Sequence, residues 1–223
     1  MNLFGTDGIR GKYGDFPLDD STIKKIGCSI AKSFGNTVKK VIIGHDGRES
    51  CGAIIDSLTE GINFINNYDI INLGLFPTPS LSLILSKNDS EDAIGIEITA
   101  SHNPYLDNGI KIFDKNGYKI SSELERKIEE IVATQNDVNI TSSTKFVDSS
   151  PMKSVYIDFI SGLLSSIKKC RTHLNVAVDC ANGATSHVIN DITFPDNISL
   201  KIFNNSPDCV NINDKCGAVY PEY

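Results

Sequence analysis

Tryptophan is absent from these 223 residues and methionine occurs only twice, so a core must come from aliphatic side chains with Phe and Tyr. Positive charge is not in excess either. Lys and Arg total 21 against 28 Asp and Glu, a formal charge of -7. That balance argues against a nucleic-acid binder, which normally carries a basic surface. Arg10, Lys12, Arg48 and Lys111 are left as candidates for a local basic patch. No apolar run is long enough to span a bilayer, and the first residues lack the basic-then-apolar build of a signal peptide. The expectation is a cytoplasmic protein without a membrane partner. The 6 cysteines include no Cys-x-x-Cys pair, and no His stands at zinc-finger distance from them. Cys28, Cys51, Cys170, Cys180, Cys209 and Cys216 are therefore expected to be reduced and mostly buried thiols.

What is present alternates. Asp19-Asp20-Ser21 opens a helical pattern with Ile23, Ile26, Ile30 and Phe34 inward. Val41-Ile42-Ile43 reads as a buried strand, and a helix over about 49–66 leads to a strand over 69–74. A helix over 80–87 then returns the chain to the apolar strand Ala93–Ile98. Asp114–Gly117 reads as a hairpin turn, and Ser121-Ser122-Glu123 caps a charged amphipathic helix running to about Thr134. This alternation is the signature of an α/β layer fold. From Gln135 to Ser150 the chain turns polar and loses periodicity, which places a boundary there: a first domain over 1–148 and a second over 149–223. In the second, a helix over 151–167 should bury Val155, Phe159, Leu163 and Ile167 along one face. A strand Leu174–Asp179 follows, with a turn over 180–184 into another helix.

Three polar stretches interrupt the pattern. Phe4–Gly11 holds glycines three apart, which is not the Gly-x-Gly-x-x-Gly dinucleotide fingerprint, and reads as a tight turn. Gly44-His45-Asp46-Gly47-Arg48 follows a strand; His45 reads as a surface loop residue and Asp46 with Arg48 as a structural or a catalytic pair. The third begins at the end of strand 93–98: Thr99-Ala100-Ser101-His102-Asn103-Pro104, then Asp107-Asn108-Gly109, a turn cluster, and strand Ile110–Phe113. Pro104 pushes Asn103 out of the helical region. A polar loop at a strand end is where α/β proteins place ligands. Ser101 next to His102 invites a serine-hydrolase reading, but no Gly-x-Ser-x-Gly elbow occurs and neighbours in an extended loop point apart.

Thr-Ala-Ser-His-Asn-Pro followed by Asp-Asn-Gly-Ile-Lys, with Phe4-Gly5-Thr6-Asp7-Gly8-Ile9-Arg10-Gly11, resembles the α-D-phosphohexomutases. Val-Asp-Cys-Ala-Asn-Gly-Ala-Thr at 178–185 resembles the opening of that family's second domain in its amino-sugar branch. The resemblance implies a three-layer α/β/α domain with a mixed sheet, followed by a partial second α/β domain. It implies that Ser101 carries a phosphate passed to and from a sugar phosphate, with glucosamine 6-phosphate favoured over mannose or glucose phosphates. Arg10 would approach the phosphoserine and Lys111 would serve the proton exchange. His102 would either bond the phosphate or fix the loop. Asn103 and Pro104 would shape the loop, and Asp46 and Arg48 would act as scaffold near the cleft. One Mg²⁺ would bind through the Ser101 phosphate, its carboxylate ligands coming from a loop that does not occur in these 223 residues. Sugar-recognition and distal phosphate loops of the family are not among them either, so this chain alone is expected to be inactive. A non-catalytic phosphoprotein module derived from a mutase is the reading from another class.

Overall fold

The computed structural model describes residues 2–87, 92–137, 144–169 and 172–222. Among them, seven strands form one sheet. They are β1 (Phe4–Gly5), β2 (Gly8–Lys12), β3 (Lys40–His45), β4 (Asp69–Leu75), β5 (Ala93–Ile98), β6 (Asp107–Phe113) and β7 (Phe146–Val147). Their order is β1-β2-β6-β5-β3-β4-β7. The β5, β3, β4 and β7 neighbours run parallel, whereas β1, β2, β6 and β5 pair antiparallel. The sheet is thus mixed. All six residues of β5 are buried, the continuous burial expected of a strand covered on both faces.

Helices α1 (Asp20–Phe34), α2 (Cys51–Ile65) and α4 (Ser122–Thr134) cover one face. Their apolar stripes meet Val41, Ile43, Ile94, Ile96 and Ile110 in one core. Helix α3 (Thr78–Lys87) covers the other face, packing Leu81, Ile84 and Leu85 over Ile42, Ile71 and Leu73. Asp19 caps α1 by accepting from the Thr22 amide at 3.0 Å, and Ser121 caps α4 through the Leu124 amide at 3.2 Å. The helices α1 and α2 touch backbone to backbone. A Cβ at Gly27 would stand 2.2 Å from the Leu58 carbonyl oxygen, and one at Gly61 2.0 Å from that of Lys24.

Past residue 148, α5 (Ser150–Ser165) lies against α3 through Met152, Val155 and Tyr156, the last with its ring edge-on to Phe76 at 5.7 Å. The expected burying face is wrong in its second half: Phe159 and Leu163 are exposed, and no residue of α5 is fully buried. Helix α5 gives way at Ser166 to a tighter turn ending at Lys169. The pair β8 (Leu174–Asp179) and β9 (Ile198–Phe203) is parallel and forms a separate sheet. The helix after the 180–184 turn is short, α6 (Thr185–Val188). No helix among the described residues is long and apolar enough to cross a membrane.

Two segments read as turns are strands. Phe4–Gly11 forms a hairpin, with Gly5 opposite Gly8, rather than a turn alone. Asp107-Asn108-Gly109 belongs to β6, opposite Lys12, Gly11 and Arg10. In both cases the partner strand supplies the ladder that the glycines and Asx residues do not favour by themselves. Cys28, Cys51, Cys180 and Cys216 are buried free thiols and Cys209 is exposed, while Cys170 lies outside the described residues.

Candidate active site

The parallel strands β3 and β5 end side by side, and their following loops touch at once: the Asp46 amide donates to the Ile98 carbonyl at 3.2 Å. From this corner Arg48 extends into the polar loop that carries Ser101. Its side chain is fully out of solvent, so it belongs to no surface basic patch. Every guanidinium N–H donor has an acceptor. Nε donates to Asp46 Oδ2 at 2.8 Å; Nη1 donates to the carbonyls of Pro104 and, at 2.9 Å, of Asp107; Nη2 donates to those of Ser101 at 2.9 Å and Asn103 at 3.0 Å. A planar fork with five donors can gather four carbonyls of one loop; an ammonium cannot.

Asp46 closes the frame by accepting from the Thr99 hydroxyl at 2.6 Å, and Thr99 Oγ1 accepts from the Ser101 amide at 3.0 Å. Asn103 Nδ2 donates to Asp107 Oδ2 at 2.9 Å, and Asn108 Nδ2 to Ser50 Oγ at 2.9 Å. Cys51, next to Asp46, has its thiol pushed up to about 12 by burial and then by the Asp46 charge, so it is inert as a nucleophile at neutral pH. Within this frame Ser101 takes φ 59°, left-handed for a non-glycine residue, and its side chain faces solvent. Neither the Ser101 hydroxyl nor the exposed His102 ring makes a hydrogen bond among the described residues.

The two predicted site cations stand on neighbouring strands. Arg10 on β2 stands opposite Gly109 on β6, and Lys111 on β6 stands opposite Glu97 on β5. Side chains directly opposite, or two apart, share a face, so Arg10, Lys111 and Glu97 share the face covered by α3. Arg10 is half-buried; it reaches Asp7 only at 3.5 Å, and its Nε is buried without a partner. Lys111 lines a cavity of about 230 Å³ together with Phe4, Asp7, Gly8, Thr78 and Phe113. It makes no hydrogen bond or ion pair among the described residues.

Glu97 was not among the residues singled out from sequence. Its carboxylate is buried and neither oxygen has a hydrogen-bond partner. Oε2 occupies the space above Gly44, 2.6 Å from where a Cβ would stand. Burial first, and the Asp46 charge second, push this carboxyl well above the usual carboxylate range, against the opposing pull of the Lys111 charge. The signal was in the sequence: one acid inside an otherwise apolar run of β5. Asn213 was also missed as a site residue. Its Nδ2 donates to the Ser101 carbonyl at 3.0 Å and the Asn103 carbonyl at 3.2 Å, and nothing local in the sequence announces that contact.

His45, read as a surface loop residue, is instead the last residue of β3 and half-buried. Its Nδ1 accepts from the Gly47 amide at 3.1 Å, and burial lowers its pKa. For a divalent ion the fit is incomplete. Among the described residues no three His, Cys, Asp or Glu side chains converge. Of the carboxylates at the loop, Asp46 is held by Arg48 and Thr99, and Asp107 by Asn103. A phosphate on Ser101 could be one ligand, but the carboxylates around it do not complete a magnesium site.

Residues 1–139 match the family model described as phosphoglucomutase/phosphomannomutase, alpha/beta/alpha domain I. The chain is 38% identical over 231 residues to the phosphoglucosamine mutase of Aliarcobacter butzleri, covering 100% of this chain and 50% of that protein. It thus spans about half the length of the curated relatives it matches. A putative phosphomannomutase from Thermus thermophilus superposes with TM-score 0.73 at 21% identity, covering 93% of this chain and 46% of that one. The N-acetylphosphoglucosamine mutase of Aspergillus fumigatus, solved in complex with GlcNAc-6P and magnesium, gives TM-score 0.54 at 16% identity, over 98% of this chain and 44% of that one. At such identities the two structures speak for the fold alone.

Proposed function

Since the chain belongs to the phosphoglucomutase/phosphomannomutase family, we propose that it forms the phosphate-carrying half of a phosphoglucosamine mutase. The observation that carries this reading is the Ser101 loop: an exposed, unengaged hydroxyl on a backbone whose carbonyls are tied down by a buried arginine. A group that must accept and give up a phosphoryl has to be both accessible and fixed, because positioning supplies much of the catalysis in phosphoryl transfer.

In the proposed cycle a hydroxyl oxygen of glucosamine 6-phosphate attacks phosphorus on Ser101 Oγ. The P–Oγ bond breaks, the hydroxyl proton leaves to a base and the serine oxygen takes up a proton. A bisphosphate results, reorients, and returns its other phosphate to Ser101, releasing glucosamine 1-phosphate. Phosphoserine carries a charge of about -1.5 to -2 at neutral pH. Arg10 has an unpartnered buried Nε and so has donors to spare for phosphate oxygens. Lys111, half-buried beside a cavity, is the candidate for the proton exchange. His102 bonds the phosphate or steadies the loop. Magnesium, when bound, would neutralise phosphate charge; this chain offers it the Ser101 phosphate, and the described carboxylates do not complete its shell. Residues 1–223 alone are accordingly expected to be inactive. A cytoplasmic sugar-phosphate pool is the setting this reading implies.

Mass spectrometry of the full-length protein should find phosphate on the peptide holding Ser101, and Ser101→Ala should abolish conversion of glucosamine 6-phosphate. Full activity in Ser101→Ala would overturn the mechanism. Faster turnover of mannose or glucose phosphates would move the substrate to another branch of the family. A phosphorylated protein without turnover of any of the three would leave the non-catalytic module.

A further inference from the structure

The segment after β9 is folded around one carboxylate. Asp179, at the end of β8, accepts through Oδ1 from the Ala181 amide at 2.8 Å and from Asn204 Nδ2 at 3.0 Å. Through Oδ2 it accepts from the Gly217 amide at 2.8 Å. Buried Ile212 packs at Gly183, and the Asn213 amide donates to the Ala181 carbonyl at 2.9 Å. The backbone that carries Asn213 is therefore anchored to the second sheet, not to the Ser101 loop. From that anchor its side-chain amide crosses to the Ser101 and Asn103 carbonyls. These are the two oxygens that Arg48 Nη2 already holds. A carbonyl oxygen has two lone pairs, and here each receives one donor from the first unit and one from the second. A further stitch lies beside Arg48, where the Glu49 amide donates to the Cys209 carbonyl at 3.0 Å.

We propose that Asn213 is a positioning residue for Ser101, the tip of a brace over residues 204–217 by which the second unit holds the phosphate-accepting loop. Ser101 sits in a left-handed backbone conformation that non-glycine residues keep only when their surroundings impose it. Arg48 fixes the loop from the first unit, and Asn213 holds the same two carbonyl oxygens from the second. The chemistry of the contact is directional. Only the amide nitrogen of Asn213 can face two carbonyls. An aspartate there has nearly the same shape and an equal tolerance of its φ of 59°, yet it presents oxygen to oxygen.

That asymmetry supplies the test. Asn213→Asp and Asn213→Ala would be compared with wild type in the full-length protein by amide hydrogen exchange, thermal melting and steady-state kinetics. The expected result is at least ~10-fold faster exchange of the Ser101 and Asn103 amides in both variants, with α4 unchanged. Asn213→Asp should be the worse of the two. The kinetic expectation rests on the reading of Ser101 as phosphate carrier: kcat should fall about 10-fold or more with KM within about twofold, because misplaced reacting groups lose rate rather than affinity. Wild-type exchange at Ser101 and Asn103 in a folded Asn213→Asp or Asn213→Ala variant would overturn the proposal. So would exchange that rises uniformly over the molecule, which marks a merely structural residue. If wild-type Ser101 proves to carry no phosphate, the mutase reading fails while the exchange comparison still decides the role of Asn213.

Discussion

Arg48 donates through Nη2 to the Ser101 carbonyl oxygen at 2.9 Å, from a side chain with no exposure to solvent. The pairing joins a β3–α2 residue to the β5–β6 loop across 53 positions of sequence. It makes the buried Asp46–Arg48 pair a spool for the loop rather than an isolated ion pair. Arg48→Lys keeps the charge but cannot serve four carbonyls. It is expected to destabilise the fold by about 1–3 kcal/mol, the scale for leaving buried carbonyl acceptors unpaired. Urea melts of the two proteins measure this, and an unchanged midpoint would remove Arg48 from the frame.

Lys111 should behave in the opposite way. It is half-buried beside the cavity and makes no hydrogen bond or ion pair among the described residues, so folding asks little of its charge. Lys111→Met keeps the apolar stem, and its melting temperature should stay close to wild type. Turnover by the full-length protein should drop sharply in kcat, by about 10²–10⁴-fold if the lysine moves the proton. Retained activity with lost stability would make Lys111 structural.

The parts of this architecture that follow from local pattern could be read from sequence. The alternation of helices and strands, the caps at Asp19 and Ser121, and the burial of β5 all depend on neighbours within one turn or one strand. What escaped depends on distant partners. Gly8 looks like a turn until β1 is laid on β2, and Asp107-Asn108-Gly109 until β2 is laid on β6. Phe159 and Leu163 keep a helical spacing, but α3 meets only the start of α5. In the site, Ser101 and Lys111 stand in a contiguous motif. Asn213 reaches Ser101 from 112 positions away, by a contact that no periodicity encodes.

The helix pair under the sheet supplies a test of packing independent of function. Gly61 in α2 lets the Lys24 carbonyl approach to 2.0 Å of its would-be Cβ position, far inside any real contact. The obstacle is backbone, which cannot swing aside as a side chain can. Gly61→Ala gains helix propensity of about 1 kcal/mol, but α1 and α2 must separate to admit the methyl. Overpacking typically costs about 1–3 kcal/mol, and here the clash should outweigh the propensity gain. A melting temperature at or above wild type would show that the two helices can part freely.

Glu97 gives the fold a pH dependence whose sign is fixed by its surroundings. The groups around it are Asp46, Lys111 and Thr78, with Gly44 beneath. Burial, reinforced by Asp46, raises its folded-state pKa well above the ordinary carboxylate value. In the unfolded chain the same group ionises near pH ~4.3. Below that pH both states hold the proton, and Glu97 costs nothing. Above it the unfolded chain releases a proton that the folded protein retains, so unfolding gains as pH rises toward the folded-state pKa. Stability attached to this residue is thus complete in acid and is lost on the alkaline side. Glu97→Gln keeps the shape and removes the titration. The variant and the wild type should melt alike near pH ~4.3, and the variant should become progressively the more stable above that value. Urea melts across that range read the difference directly. Parallel curves for the two proteins would mean that Glu97 is ionised in the folded state, and that Lys111 holds it so.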